Sequence, residues 1–153
     1  MKNITMEVIN SIDKYKDDIA GLTLNLNKMF ESLLQVIGES NEVEWIWIND
    51  INFIDRDGRE TVIYHKNAKR YKHSMNHEMC LKFLEKYNFI ISDNKIIVNI
   101  DNVKSYCSGM GKCYFENGMY TTISKPNKKK FKDLGCVDEN VKESLRDKRW
   151  VFR

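Results

Sequence analysis

The apolar residues of this 153-residue chain change their spacing near position 43, and that change restricts the fold more than any other feature. Before it, Ile12, Tyr15, Ile19, Leu22, Leu26, Met29, Leu33 and Val36 follow one another at alternating steps of three and four. Val8 and Ile4 extend the series at steps of four. Such a repeat is the a/d seam of an amphipathic helix. Thr5 is a candidate N-cap and Gly38 a candidate stop. The spacing predicts one helix over 5–37, about 50 Å long at its usual rise per residue. From Val43 onward the period falls to two. Glu44–Ile48, Ile51–Ile54, Thr61–Tyr64, Ile96–Ile100 and Val103–Tyr106 read as short strands. Asp57-Gly58 and Asn117-Gly118 are hairpin turns, the second joining Cys113–Phe115 to Met119–Ile123. Met79, Phe83 and Tyr87 predict a short helix capped by Ser74 or Asn76.

The chain therefore divides into a helix over 1–42, a β-rich domain over 43–136 and a tail over 137–153. In the tail Val137, Val141 and Leu145 stand at helical spacing behind Asp138 as a candidate cap. So long a helix has to bury its stripe. It can pair with a second copy in a coiled coil or bundle, or fold back on its own domain. Phe30, Leu34 and Ile37 widen the stripe at its C-terminal end and favour self-association, whereas Gly21, Asn25 and Asn27 weaken it locally.

Composition supports a globular chain with a real core: 42% hydrophobic, 31% charged, and one proline. The longest apolar runs, such as Ile96-Ile97-Val98, fall far short of the roughly 20 residues of a membrane span. Asp13, Asp17 and Asp18 rule out a signal peptide at the N-terminus, so the expected location is the cytoplasm. The net charge of +3 is unevenly spread. Residues 1–42 hold four Lys against seven Asp/Glu, or −3, which leaves 21 Lys/Arg against 15 Asp/Glu, or +6, for 43–153. Lys125, Lys128, Lys129, Lys130 and Lys132 concentrate part of that charge. A polyanionic partner and a merely solvated lysine face fit it equally well.

The four cysteines, Cys80, Cys107, Cys113 and Cys136, contain no C-x-x-C pair, and their thiols are expected to be reduced. His73, His77 and Cys80 have the spacing of metal ligands on a helix, but no fourth ligand accompanies them and His73 falls before the helix start. No metal or cofactor is expected. No spacing links the cysteines to His65, His73 or His77 in a nucleophile–base arrangement. P-loop, dinucleotide and zinc-protease motifs are missing, so an enzyme is not expected.

Three phrases in the β region resemble the LytTR DNA-binding domain of bacterial transcriptional regulators. Ile48-Asn49-Asp50-Ile51-Asn52-Phe53-Ile54-Asp55 followed by Asp57-Gly58-Arg59 is similar to its opening phrase and D-G-R loop. Phe89 to Ser105, with Ile97-Val98-Asn99 and Asp101-Asn102-Val103, is similar to its central I-V-N strand and apolar-D-x-I/V run. Phe115-Glu116-Asn117-Gly118, Thr122-Ile123-Ser124-Lys125 and Lys129-Lys130-Phe131 resemble its closing hairpin, serine–arginine loop and basic helix. The resemblance covers about residues 44–134.

It implies small antiparallel sheets with short helices, and binding in which loops enter successive major grooves. Such a groove, about 12 Å wide, admits a loop tip bearing Arg, Lys or Asn. Carried over by position, the DNA-binding residues are Arg59 in the D-G-R loop, Asn94 and Lys95 before the I-V-N strand, and Lys125 after the serine. Asn127, Lys128 and Lys129 follow, the lysines as phosphate ligands.

Two loops depart from the pattern. The usual H-R-S reads Asp93-Asn94-Lys95, acidic where a basic residue is common. The usual arginine and tyrosine after the serine read Lys125-Pro126-Asn127, and lysine cannot make the bidentate contact with guanine.

Forty-two residues ahead of the β region are too few for a phosphoacceptor receiver, so the expectation is a regulator without one. Ile12, Tyr15, Ile19, Leu22, Leu26, Met29, Leu33 and Val36 would then form a dimerisation seam, or bind a regulatory protein. The rival class is an adaptor or antagonist that keeps the scaffold without the DNA contacts. RNA is disfavoured, because the aromatics are placed as strand residues.

Overall fold

A computed structural model describes residues 2–140. Strands β1 (Leu33–Ile37), β2 (Val43–Trp47), β3 (Ile51–Asp57), β4 (Glu60–His65), β5 (Arg70–His73), β6 (Phe89–Asp93) and β7 (Ile96–Asn99) form one antiparallel sheet in the order β2-β1-β5-β4-β3-β7-β6. A smaller antiparallel sheet has the order β10-β9-β8, from β8 (Ser105–Cys107), β9 (Lys112–Tyr114) and β10 (Tyr120–Thr122). The helices are α1 (Ile4–Lys14), α2 (Ile19–Glu31), α3 (His77–Leu84) and α4 (Lys128–Asp133). The expected architecture of small antiparallel sheets with short helices is thus the observed one.

Strands β3 and β7 are covered on both faces, which explains the consecutive apolar residues Phe53-Ile54 and Ile96-Ile97-Val98. Alternate side chains of a strand point to opposite faces. Ile54 and Ile97 enter a core with Leu34, Val36, Ile63, Cys80, Leu84 and Phe89, under α3. Phe53, Ile96 and Val98 enter a second core with Tyr106, Cys113, Phe115, Ile123 and Phe131, under the small sheet and α4. Strict alternation would put Ile51 with Phe53, yet Ile51 shares the core of Ile54. The register shift between Ile51 and Phe53 resolves the parity, because a bulge adds one residue. The Asn99 and Asn102 amides both donate to the Ile51 carbonyl, at 3.0 and 2.9 Å. The asparagine of the I-V-N phrase is therefore a buried partner for a bulged strand.

The N-terminal region departs from the single helix expected over 5–37. Tyr15 leaves helical geometry at φ −113°, ψ 22°, and the Asp18 carboxylate caps a second helix by accepting the Gly21 N–H at 2.9 Å. Asn3, not Thr5, caps α1. Leu33 and Val36 are not seam residues. They are buried core of β1, whose partners are β2 throughout and β5 at Ile37. Gly38 begins the β1–β2 turn rather than stopping a helix, its N–H donating to the Glu42 carbonyl at 2.8 Å. The sheet thus begins ten residues before position 43. Asn76 caps α3 as expected. Asp138 accepts the Asn140 N–H, and the rest of the expected C-terminal helix lies outside the described residues.

Candidate nucleic-acid interface

Three loops meet at or near one end of the large sheet, and the strand register accounts for two of them. β3 runs antiparallel to β7, with Ile54 opposite Ile97, so the end of β3 and the start of β7 lie together. The β3–β4 hairpin closes there over Gly58-Arg59 between the paired Asp57 and Glu60. Gly58 takes φ 59°, the positive value that primed hairpin turns demand and that glycine adopts without strain. The β6–β7 turn, Asn94-Lys95 between the paired Asp93 and Ile96, closes at the same end. Arg59, Asn94 and Lys95 are all exposed.

The third loop is fastened to the second directly. Beyond β10, the Ser124 N–H donates to the Ser92 carbonyl at 2.8 Å, and the Thr122 hydroxyl donates to the Asp93 carboxylate at 2.7 Å. The other oxygen of Asp93 accepts the Asn94 N–H at 2.7 Å. Asp93, acidic where the resemblance implies a base, is therefore a clasp that shapes its own turn and holds the neighbouring loop. Lys125–Asn127 forms a short 3-10 turn with Pro126 in its first positions, and the Asn127 amide donates to the Ser124 hydroxyl at 2.7 Å. That bond gives Asn127 a local structural task.

α4 follows at once, pinned by the fully buried Phe131, whose ring lies 5.9 Å from that of Tyr106. Lys129, Lys130 and Lys132 stand exposed around it, and Lys128 lies half-buried with its stem near Gly111. From Lys125 to Lys132 there are five lysines and no carboxylate. Among the described residues none of Arg59, Lys95, Lys125, Lys128 or Lys129 is in an ion pair. Positive charge is thus free to meet an anionic partner.

Arg59 stands apart in one respect. It shares the sheet end with Asn94 and Lys95, but its hairpin also carries Asp55, Asp57 and Glu60. Glu60 is paired with Lys72 at 3.0 Å, and Arg56 folds its Nε onto the Gly58 carbonyl at 2.8 Å. Asn94, Lys95 and Lys125 sit on loops that the Thr122–Asp93 and Ser124–Ser92 bonds join directly. Lys112 was invisible to sequence reasoning. It pairs across the small sheet with Thr122, the partner of Asp93, and its Nζ lies 4.4 Å from the Tyr120 ring centroid. No local pattern marks such a residue, because the cross-strand register alone brings it to the clasp.

The histidines and thiols lie elsewhere. His73 is in β5, its Nδ1 accepting the Met75 N–H at 2.9 Å, and burial holds its pKa below the usual imidazole value. Burial does the same to His65, against an opposing pull from Asp50. Burial pushes the Cys80 thiol up to about 11 and Cys113 to about 12. Among the described residues no group of three or more His, Cys, Asp or Glu is arranged to hold a metal ion.

A two-sheet antiparallel scaffold with unpaired lysines and an exposed asparagine on adjoining loops defines a class of sheet-built module with a basic, loop-borne surface. Within that class the family is definite. The LytTr DNA-binding domain model matches residues 41–135, and the chain belongs to that family. A solved LytTr DNA-binding domain from Bacillus cereus shares the fold, with a TM-score of 0.59 at 16% identity over 68% of this chain and 97% of that one. No curated protein matches the chain. Membership implies DNA as the partner. No described helix is long and apolar enough to cross a membrane.

Proposed function

We propose that this chain is a sequence-specific, double-stranded-DNA-binding transcription regulator of the bacterial cytoplasm. It acts as a homodimer paired through its N-terminal helices. The observation that carries the reading is the clasp of Asp93 to Thr122, reinforced by the Ser124–Ser92 backbone bond, which sets Asn94, Lys95 and Lys125 on adjoining loops. Preorganised donors lose less conformational freedom when they bind. Asn94 is the base reader, since a side-chain amide can pair bidentately with adenine in the major groove. Lys125, Lys128 and Lys129 neutralise phosphates and fix register, with Lys95 beside them. Arg59 reaches the duplex from the neighbouring hairpin, where the acidic residues around it limit its contribution. The lysine at position 125 lowers base discrimination relative to arginine and keeps attraction.

Salt dependence tests this. A domain that neutralises four to six phosphates shows a slope of log K against log salt of about −4 to −5. Lys125→Ala reduces that slope by about 1 and weakens all duplexes alike. Asn94→Ala leaves the slope and lowers discrimination between sites by roughly 1–3 kcal/mol. No saturable duplex binding at modest salt refutes the reading. It would favour an adaptor or antagonist instead, an alternative drawn from the large apolar side chains exposed on α1 and α2.

A further inference from the structure

The N-terminal helices form a hairpin that is held to the sheet at its base. α1 and α2 contain no buried residue. The Trp47 indole donates to the Lys2 carbonyl at 2.8 Å, the Ile48 N–H donates to the Ser32 carbonyl at 2.9 Å, and the Tyr87 hydroxyl donates to the Glu31 carbonyl. All three contacts lie where the helices enter or leave the domain. Half-buried residues fall in one line along each helix, Ile4, Val8 and Ser11 on α1 with Tyr15 just beyond it, and Leu22, Asn25, Leu26 and Met29 on α2, and the Ser11–Asn25 hydrogen bond joins the two lines.

That contact line divides each helix into two flanks, about 100° of turn separating successive residues. Ile9 and Ile12 lie on one flank of α1. Because the helices are antiparallel, the corresponding flank of α2 carries Ile19 and Phe30. On the other flank lie Asn10 and Lys14 of α1 with Lys28 of α2, and the Ser11 hydroxyl donates to the Asn25 side chain there at 2.8 Å. One side of the hairpin therefore carries Ile9, Ile12, Ile19 and Phe30, and the other is the more polar, with Leu24 its exposed apolar residue.

We infer that the apolar side is the surface through which two copies of this chain associate, face to face, as a four-helix bundle. Size supports a second copy as the occupant. Ile9, Ile12, Ile19 and Phe30 are 45, 47, 79 and 56% exposed. A residue of this size presents roughly 200 Å² when open, so the four leave on the order of 450 Å² of mostly apolar surface uncovered. Interfaces are about 60% non-polar, so roughly 450 Å² of apolar surface is the non-polar share of a patch of ordinary size. A stable interface of ordinary size needs about 800 Å² per partner. The face is also suited to itself, because a two-fold axis sets the same patch on both copies. The inference deepens the homodimer part of the proposed function and names the surface.

The test is sedimentation equilibrium of the full chain without DNA, so that failure of DNA binding and failure of dimerisation are seen separately. The wild type is dimeric at micromolar concentration. Ile12→Asp with Ile19→Asp raises the dimer dissociation constant by roughly 30-fold or more, with the β domain intact by circular dichroism. Lys28→Glu on the polar flank leaves it unchanged. A milder probe covers the case in which the aspartates unfold the hairpin: Ile12→Cys gives a covalent dimer with a short bismaleimide, and Asn10→Cys gives none. A wild type that stays monomeric, a dimer indifferent to Ile12 and Ile19, or cross-linking from Asn10 but not Ile12 overturns the inference.

Discussion

The Asp93–Thr122 bond makes a prediction that separates loop positioning from charge. Thr122→Val removes the hydroxyl at nearly constant shape and leaves the Asp93 carboxylate, whereas Asp93→Ala removes the acceptor. A hydrogen bond to a charged group contributes roughly 1.5–3 kcal/mol when desolvated. This one is solvent-exposed, so the expected coupling is about 1 kcal/mol. A double-mutant cycle in urea isolates the pair. With a urea slope of about 2 kcal/mol per molar, Thr122→Val lowers the midpoint by roughly 0.5 M. The two changes together cost about 1 kcal/mol less than their sum. On DNA the two variants diverge. Thr122→Val weakens specific binding up to about fivefold, because the Asn94 and Lys125 loops must then be ordered at the moment of binding. Asp93→Ala loses the same order and also deletes a negative charge. At about 7 Å from a phosphate in water that charge repels by roughly 0.6 kcal/mol, so this variant binds non-specific duplex more tightly than the wild type. A coupling within about 0.3 kcal/mol of zero, or equal effects of both variants on specific and non-specific duplex, refutes the clasp.

Three further outcomes are expected. Phe131→Ala opens a cavity at a fully buried ring, costs about 3–5 kcal/mol by chemical denaturation, and releases α4 with its lysines, so duplex affinity falls with stability. His65 and His73 have folded pKa values below the unfolded one, so the fold prefers their neutral forms. Their contribution is complete above about pH 6.5 and is lost as pH falls through the depressed folded values. The urea midpoint should therefore drop on acidification below about pH 6.5, and a midpoint that rises would contradict the burial of both rings. Alkylation of the native protein should modify the partly exposed Cys136 first and spare Cys80 and Cys113, whose buried thiols stay protonated near neutral pH. Peptide mass mapping reads the order, and early labelling of Cys113 would place it outside the core.

Local chemistry made much of this protein legible in its sequence. The Asp57-Gly58 and Asn117-Gly118 turns, the Asn76 cap and most strands are written in residues a few positions apart, and so is the ordered set of phrases that match the family. The position of Leu33–Ile37 was not legible. Leu33, Leu34 and Val36 satisfy both a helical repeat and a strand alternation, and a segment so short cannot choose between them. Pairing with β2 and β5 and burial against Ile46, Ile63 and Tyr71 made it a strand. The helix break at Tyr15–Asp18 belongs to the same kind, since its capping carboxylate lies inside an otherwise continuous apolar stripe. Asp93 reads in the sequence only as a departure from the family pattern, because its partner Thr122 lies 29 positions away. Residues close together in the chain set which turns expose Asn94, Lys95 and Lys125. Which of those turns are joined was left to folding, because only the packed chain brings Asp93 within hydrogen-bonding reach of Thr122, and Ser92 of Ser124.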